Sequence, residues 1–111
     1  MLVLARKPGQ SIRIGSDAVL TLLAVSRERV TVRVMTNRTV LLRVRDQSMA
    51  LPPGRTAALV CTQGERLLIG PEILVCISAI QRGRALIAVE ADRSIPVDRE
   101  EVYLRRVQER G

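Results

Sequence analysis

The chain repeats itself at a fixed offset of 55 residues, and no gap is needed to align the two copies. Gly9-x5-Gly15 recurs as Gly64-x5-Gly70. Further identities at the same offset are Leu4/Leu59, Ile14/Ile69, Ala24/Ala79, Arg27/Arg82, Arg29/Arg84, Val34/Val89 and Arg38/Arg93. Each copy has about 50 residues, a size at which one hydrophobic core is marginal. The repeat therefore predicts two copies of one structural unit that share a single core.

Two mismatches between the copies are complementary. Arg6 in the first copy corresponds to Cys61 in the second, and Arg99 in the second copy corresponds to Val44 in the first. A basic residue is thus kept at the start of one copy and at the end of the other. If each copy forms a binding site from its own start and its own end, each of the two sites keeps one basic residue and has lost the other. If sites form between opposite copies, one is complete and the other has lost both charges.

Short apolar runs separated by turn residues predict five β-strands in each copy. In the first copy the predicted strands are Met1–Arg6, Ser11–Ile14, Ala18–Val25, Val30–Met35 and Thr39–Val44. In the second copy they are Ala57–Cys61, Arg66–Ile69, Ile73–Ile80, Arg84–Glu90 and Ser94–Asp98. The chain has no Phe or Trp and one Tyr, so the shared core must be aliphatic. The predicted fold class is all-β.

A proline-rich segment separates the copies. Pro52-Pro53-Gly54 cannot continue a helix or a central strand, so residues 48–56 are predicted to be a linker. The expected organisation is repeat 1 over residues 1–47, the linker, and repeat 2 over residues 57–111, together one compact unit.

One C-terminal helix is expected after the last strand, over Arg99–Arg110. Acidic residues occur in its first turn and basic residues toward its end, as the helix dipole favours. Val102, Tyr103 and Val107 give it one apolar side, and Tyr103 is expected to pack beneath it. The first copy has the linker at the equivalent position, so a single helix is predicted.

The net charge of +7 is carried almost entirely by arginine, and Lys7 is the only lysine. Residues 1–50 hold nine basic and three acidic residues, whereas residues 51–111 hold nine and eight. The first half is therefore the better candidate for binding a polyanion. Genome composition and solubility are an alternative explanation for the arginine content, because charge alone specifies no partner.

The sequence offers no catalytic chemistry, and no enzyme, cofactor or metal is predicted. Histidine is absent, and two cysteines are too few for a zinc site. Cys61 and Cys76 are expected to be buried free thiols in a reducing cytoplasm. Gly9-x5-Gly15 lacks the Lys-Ser/Thr ending of a phosphate loop. Stacking of bases on aromatic rings is excluded as a main mode of nucleic-acid binding, because exposed aromatics are missing.

Two segments resemble known signatures. Residues 1–15, Met-Leu-Val-Leu-Ala-Arg-Lys-Pro-Gly-Gln-Ser-Ile-Arg-Ile-Gly, closely resemble the opening of the carbon storage regulator (Csr/Rsm) family. Val97-Asp-Arg-Glu-Glu-Val-Tyr103 resembles the closing signature of that family. Its members are small bacterial RNA-binding proteins that repress or modulate translation. Together with the repeat, the resemblance covers nearly the whole chain except the linker.

The resemblance implies a particular architecture and ligand. Family members are homodimers of a five-strand, one-helix chain, with two interleaved antiparallel sheets. Each RNA site combines the first strand of one subunit with the fifth strand of the other. The ligand is a GGA element, usually in a hairpin loop of an mRNA leader. This chain resembles such a dimer fused into one polypeptide, so a monomeric pseudo-dimer is expected.

The composite site residues follow from the same resemblance. The RNA-binding residues implied for the complete site are Leu4, Ala5, Arg6 and Lys7 from the first copy, with Ile95, Val97 and Arg99 from the second. The second composite site would combine Leu59, Val60, Cys61 and Thr62 with Val40, Leu42 and Val44. This site is degenerate, because Cys61 and Val44 replace its two basic residues. Arg43 and Arg45 flank Val44 and are expected on the opposite strand face unless a bulge reorients one of them.

Two other functions remain open from the sequence. A degenerate family member could act through protein–protein interaction without binding RNA. A nonspecific basic RNA chaperone is the second alternative. The expected partners of the favoured function are mRNA with GGA hairpins and, in addition, a small regulatory RNA or a protein antagonist. A cytoplasmic protein is expected, because the apolar start precedes the charges of Arg6 and Lys7, the reverse of a signal peptide, and no membrane partner is predicted.

Overall fold

The computed structural model describes residues 1–102 and 104–105. It contains eleven β-strands in this part of the chain. In chain order they are β1 Leu2–Arg6, β2 Ser11–Ile14, β3 Ala18–Val25, β4 Arg29–Thr36, β5 Val40–Val44, β6 Gln47–Leu51, β7 Thr56–Thr62, β8 Arg66–Ile69, β9 Ile73–Gln81, β10 Arg84–Glu90 and β11 Val97–Arg99. The all-β class is confirmed, and ten of these strands correspond to the ten that the sequence predicts.

The segment predicted as a linker, residues 48–56, is mostly in strands. Residues 48–51 belong to β6, and Thr56 begins β7. Only residues 52–55 lie between the two strands, where Gly54 has a φ of 76° and its N–H donates to the Thr36 carbonyl. The proline pair therefore ends β6, but it does not prevent a strand immediately before it.

The strands form two antiparallel sheets, and each sheet combines strands from both copies. The six-stranded sheet has the order β1-β10-β9-β8-β5-β6, and the five-stranded sheet has the order β11-β2-β3-β4-β7. In the first sheet, β1 and β5 of copy one flank three strands of copy two. In the second sheet, β7 and β11 of copy two flank three strands of copy one. The predicted interleaving is confirmed.

The two sheets are equivalent strand by strand, with one exception. Reversing the five-stranded order gives β7-β4-β3-β2-β11, which matches β1-β10-β9-β8-β5 at the 55-residue offset. A bulge interrupts β3 at Leu23 and β9 at Ser78, which are also equivalent positions. The exception is β6, which extends the six-stranded sheet and has no equivalent in the other.

The core between the sheets is aliphatic, as predicted. Alternate residues of the strands point inward, because successive side chains in a strand face opposite sides. The largest fully buried side chains are Ile12, Ile14, Leu20, Leu22, Leu42, Leu67, Ile87, Val30, Val32, Val34, Val75 and Val89. Both copies supply this set, so neither copy encloses a core of its own.

The chain becomes helical directly after β11. Residues 100–102 and 104–105 are helical, so the predicted helix is present from its second residue. Tyr103, which was expected to pack beneath the helix, Val107 of its apolar side and the predicted continuation to Arg110 lie outside the described residues. Within the part of the chain described here, no helix has the length and apolar character needed to cross a lipid bilayer.

Candidate nucleic-acid interface

Two strand edges from opposite copies meet at the predicted complete site. β1 is the edge strand of the six-stranded sheet, and β11 is the edge strand of the five-stranded sheet. Arg6 at the end of β1 forms an ion pair with Glu101, two residues after β11, with 3.0 Å between Nη1 and Oε1. We refer to Leu4–Lys7 together with Ile95–Arg99 as face one. The structure thus brings the ends of both halves together.

The side chains of face one divide into exposed and half-buried groups. Ala5, Lys7 and Arg99 are exposed. Leu4, Ile95 and Val97 are half-buried and pack against the core. A ligand at this face would therefore meet two cations beside a partly apolar surface.

Arg6 differs from the other cations of face one because it is buried, with 5% of its surface exposed. Its Nε donates to the Ala5 carbonyl at 2.8 Å. Its Nη1 donates to the Ser11 carbonyl at 3.1 Å and to Glu101 Oε1 at 3.0 Å. These bonds join β1, β2 and the start of the helix. The guanidinium group therefore fixes three elements together and does not point into solvent.

Two glutamates at the start of the helix pair with arginines, and one of them has a lowered pKa. The hydrogen bond from Arg6 is the main cause that lowers the pKa of Glu101, and the charges of Arg6 and Arg99 add to it. Glu100 lies 3.5 Å from Nη2 of Arg13 on β2. The helix start is thus held to both sheets by ion pairs.

Ile95 is not part of the last strand, in contrast to the prediction of a strand over Ser94–Asp98. β11 begins at Val97, because Pro96 has no N–H to donate to a sheet. Instead, the Pro96 carbonyl accepts a hydrogen bond from Gly15 N–H at 2.7 Å. Ile95 packs closely there, since a Cβ on Gly15 would lie 3.3 Å from its Cγ2.

The degenerate second site has buried uncharged residues at the two positions where face one has arginines. We refer to residues 59–62 with residues 40–44 as face two. Cys61 and Val44 are 1% and 7% exposed and belong to the core. Burial raises the pKa of the Cys61 thiol above its ordinary value. Val60 and Thr62 are exposed, and Leu59 is half-buried.

The β5 edge of face two is already occupied by protein. β6 pairs with β5 along its whole length, in the register Val40↔Leu51 to Val44↔Gln47. β5 also pairs with β8 on its other side, so it is an internal strand of the sheet. Among the described strands, its equivalent β11 pairs with β2 alone.

Arg45 bridges face two from the β5–β6 turn. Its φ of 55° lies in the left-handed region, which helps to close the two-residue turn Arg45-Asp46. Its Nη1 lies 2.6 Å from Glu65 Oε2 and 3.5 Å from the Val60 carbonyl. The turn therefore sets the orientation of the Arg45 side chain. The sequence suggested instead that strand alternation or a bulge would set it.

Glu65 is strongly acidic at this position. Its Oε1 accepts hydrogen bonds from the backbone N–H of Thr62 at 2.7 Å and from the Thr62 hydroxyl at 2.8 Å. Together with Arg45, these donors lower the pKa of Glu65 to about 2, the backbone N–H being the largest cause. Its equivalent Gln10 accepts the matching bond from Lys7 N–H at 2.9 Å.

Sequence reasoning missed three contributors to these faces: Glu101, Glu65 and β6. Glu101 occurs in the closing signature, and Glu65 is the charged counterpart of Gln10 in the repeat. Both could have been recognised as partners for buried or turn arginines. β6 leaves no such signal, because Gln47–Leu51 has no counterpart among the repeated strands.

Comparison with protein families agrees with this arrangement. The family model described as CsrA, a global regulator protein family, matches residues 1–43 and 59–108. The chain therefore belongs to the CsrA family, whose members bind mRNA and regulate gene expression after transcription. The two matched segments correspond to the two copies, and residues 44–58, with all of β6, lie between them. No solved structure matches the chain.

Proposed function

We propose that this chain is a sequence-selective regulator that binds GGA motifs in mRNA leader hairpins and modulates translation or mRNA stability in the cytoplasm. One chain binds one hairpin, and face one is the binding site. The observation that carries the proposal is that face one combines two open strand edges with exposed cations. At face two, β6 covers the β5 edge, and Cys61 and Val44 replace the two basic residues.

Backbone groups supply the base recognition in this proposal. An edge strand presents N–H and C=O groups that have no partner within its sheet. Single-stranded RNA loops expose unstacked bases whose edges carry matching donors and acceptors. Two edges from different sheets, β1 and β11, can bind adjacent bases at the same time. The half-buried Leu4 and Val97 provide aliphatic contact beside them.

The exposed cations position the RNA. Lys7 follows β1 and Arg99 ends β11, so both charges lie at the ends of the two edges. Cations of this kind contact phosphates, and arginine also forms bidentate bonds to base edges. We assign Arg6 a different role from the one the sequence suggested. It is a positioning residue that holds the β11 end and the helix start beside β1.

A gel-shift titration tests the specificity. A GGA hairpin should bind, and the same hairpin with GCA should bind at least tenfold more weakly. Equal affinity for the two RNAs would indicate a nonspecific RNA chaperone. Absence of binding to either RNA would favour the protein-interaction alternative.

Arg99→Ala tests the assignment to face one. Its loss should weaken GGA binding by about 1–3 kcal/mol if the guanidinium contacts a base edge or phosphate. Arg66→Ala on β8 is the matched control, because Arg66 is an exposed strand arginine outside face one. Equal losses from the two variants would mean that general charge determines affinity.

A further inference from the structure

We propose that β6 is an internal competitor of RNA at face two: it occupies the β5 edge that face one leaves open at β11. This inference rests on the proposed function, in which RNA binds at strand edges. It adds that face two is closed by a strand of the chain itself, and not only by loss of its cations.

The register shows which backbone groups of β5 are taken. Val44 and Gln47 flank the two-residue turn, and a β-turn joins such residues by a hydrogen bond. Hydrogen-bonded and non-hydrogen-bonded pairs alternate along an antiparallel ladder. The pairs Leu42↔Met49 and Val40↔Leu51 are therefore also hydrogen-bonded. Val40, Leu42 and Val44 are the residues whose equivalents in face one are Ile95, Val97 and Arg99.

Side chains hold β6 in this place. Leu51 at its end is 3% exposed and belongs to the core. An open pocket of about 320 Å³ lies beside the β5–β6 hairpin, and its lining combines Leu59 of β7 with Leu42, Val44, Gln47, Ser48 and Met49. β6 thus lies against the gap between the two halves of face two.

The Arg45–Glu65 ion pair spans the gap between the two halves of face two at the β5–β6 turn. Arg45 lies in the β5–β6 turn, and Glu65 lies in the turn after β7. The ion pair therefore connects the two halves of face two directly. In face one the equivalents are Glu100 and Gln10, which have different partners.

β6 is specific to one copy. After β11 the described residues 100–102 and 104–105 are helical, and no described strand pairs with the outer edge of β11. β6 also lies within residues 44–58, outside both segments that match the family model. Its presence at face two is thus an addition to the repeated unit.

Competition favours the internal strand. A strand joined to β5 by a two-residue turn has a high effective concentration at that edge, in the millimolar range or above for short connections. An RNA at micromolar concentration would have to displace all five paired residues and expose Leu51. We therefore expect face two to remain closed even when its charges are restored.

Three variants test this expectation by titration calorimetry with a GGA hairpin. All carry Val44→Arg and Thr62→Lys, which restore the equivalents of Arg99 and Lys7. The second adds Met49→Pro, which removes a ladder donor from β6. The third adds Ala50→Pro as the matched control, because the Ala50 N–H faces the free edge and bonds no strand.

The Met49→Pro variant should bind two hairpins, whereas the other two variants should bind one. Two hairpins bound while β6 is intact would overturn the proposal. One hairpin bound by the Met49→Pro variant would also overturn it, provided that the β6 amides exchange freely. Binding at face one serves as the internal control for folding.

A measurement on the unmodified chain covers the case in which Met49→Pro does not fold. Amide hydrogen exchange at Gln47, Met49 and Leu51 should be slow, and a GGA hairpin should shift resonances of β1 and β11 without shifting those of β5. Fast exchange at these amides, or shifts in β5 with a second equivalent of RNA, would overturn the proposal. Absence of shifts in β1 and β11 would count against the proposed function alone.

Discussion

Arg6 is a buried cation in an edge strand, and its hydrogen bonds limit what it can contribute to RNA binding. A buried charge is tolerated when it is paired and its donors are satisfied. Arg6 meets this condition through two carbonyls and Glu101. Breaking these bonds to contact RNA would leave the buried guanidinium group without its partners, so the role we propose for Arg6 is to position the elements it holds.

Glu101→Gln separates positioning from charge. If only net charge matters, removing an acid near an RNA site should tighten binding. If the Arg6–Glu101 pair positions β11, the substitution should weaken GGA binding by about 0.5–1.5 kcal/mol, the usual contribution of one hydrogen bond. Glu90→Gln is the control, because it removes the same charge from an exposed position on β10, the strand that pairs with β1. Tighter RNA binding by both variants in gel shifts would refute the positioning role.

Glu65 should make the protein sensitive to acid. Its folded pKa of about 2 lies below the ordinary value near 4.3 for an unfolded glutamate. Its contribution to stability is therefore complete above about pH 4.5 and is lost as the pH falls toward 2.

Glu65→Gln keeps an acceptor for the Thr62 N–H, as Gln10 does for Lys7 in the other copy. Thermal unfolding between pH 5 and pH 2 should therefore show a smaller loss of stability for this variant than for the unmodified protein. The pKa of Glu101 is also lowered, and its contribution to the acid-dependent loss of stability is the same in both proteins. Parallel curves would contradict the assignment.

At the scale of elements, the two equivalent glycines after β2 and β8 give a matched pair of tests. Gly15 and Gly70 have φ values of 62° and 64°, so alanine at either position should cost about 1–2 kcal/mol of stability. A Cβ at Gly15 would press on Ile95 at 3.3 Å, whereas one at Gly70 would lie 4.0 Å from Val40.

Only Gly15→Ala should lower RNA affinity, because only it displaces a residue of face one. Denaturant unfolding gives the stability of each variant, and gel shifts give the affinity. Similar RNA binding by Gly15→Ala and Gly70→Ala would show that the segment before β11 does not contribute.

The repeated strands were predictable because each has alternating apolar residues bounded by turn residues, and because two copies support each other. β6 was not, since Gln47–Leu51 has weak strand character and the following prolines suggested a linker. Its strand conformation is determined by the free edge of β5 and by the burial of Leu51. Likewise, Arg6 could be placed at a strand end, but its burial arises from packing with segments distant along the chain, including Glu101, 95 residues away in sequence.

At the scale of the whole molecule, each sheet is complete only when both copies are present. Both copies are in one chain, so no second molecule is needed to fill the core. We predict a monomer of 12.3 kDa in solution. Size-exclusion chromatography with light scattering at micromolar concentration checks this, and a stable mass of twice that value would contradict a closed pseudo-dimer.

The unmatched strand β6 has a consequence for how such a protein responds to its targets. In a symmetric homodimer every substitution appears on both faces, whereas in this single chain one face can change without the other. A binder with one open face cannot bridge two motifs on the same transcript and gains no avidity from them. Each motif of a transcript with tandem motifs would then bind a separate molecule of this protein. The occupancy of each motif would rise with protein concentration as a simple hyperbola.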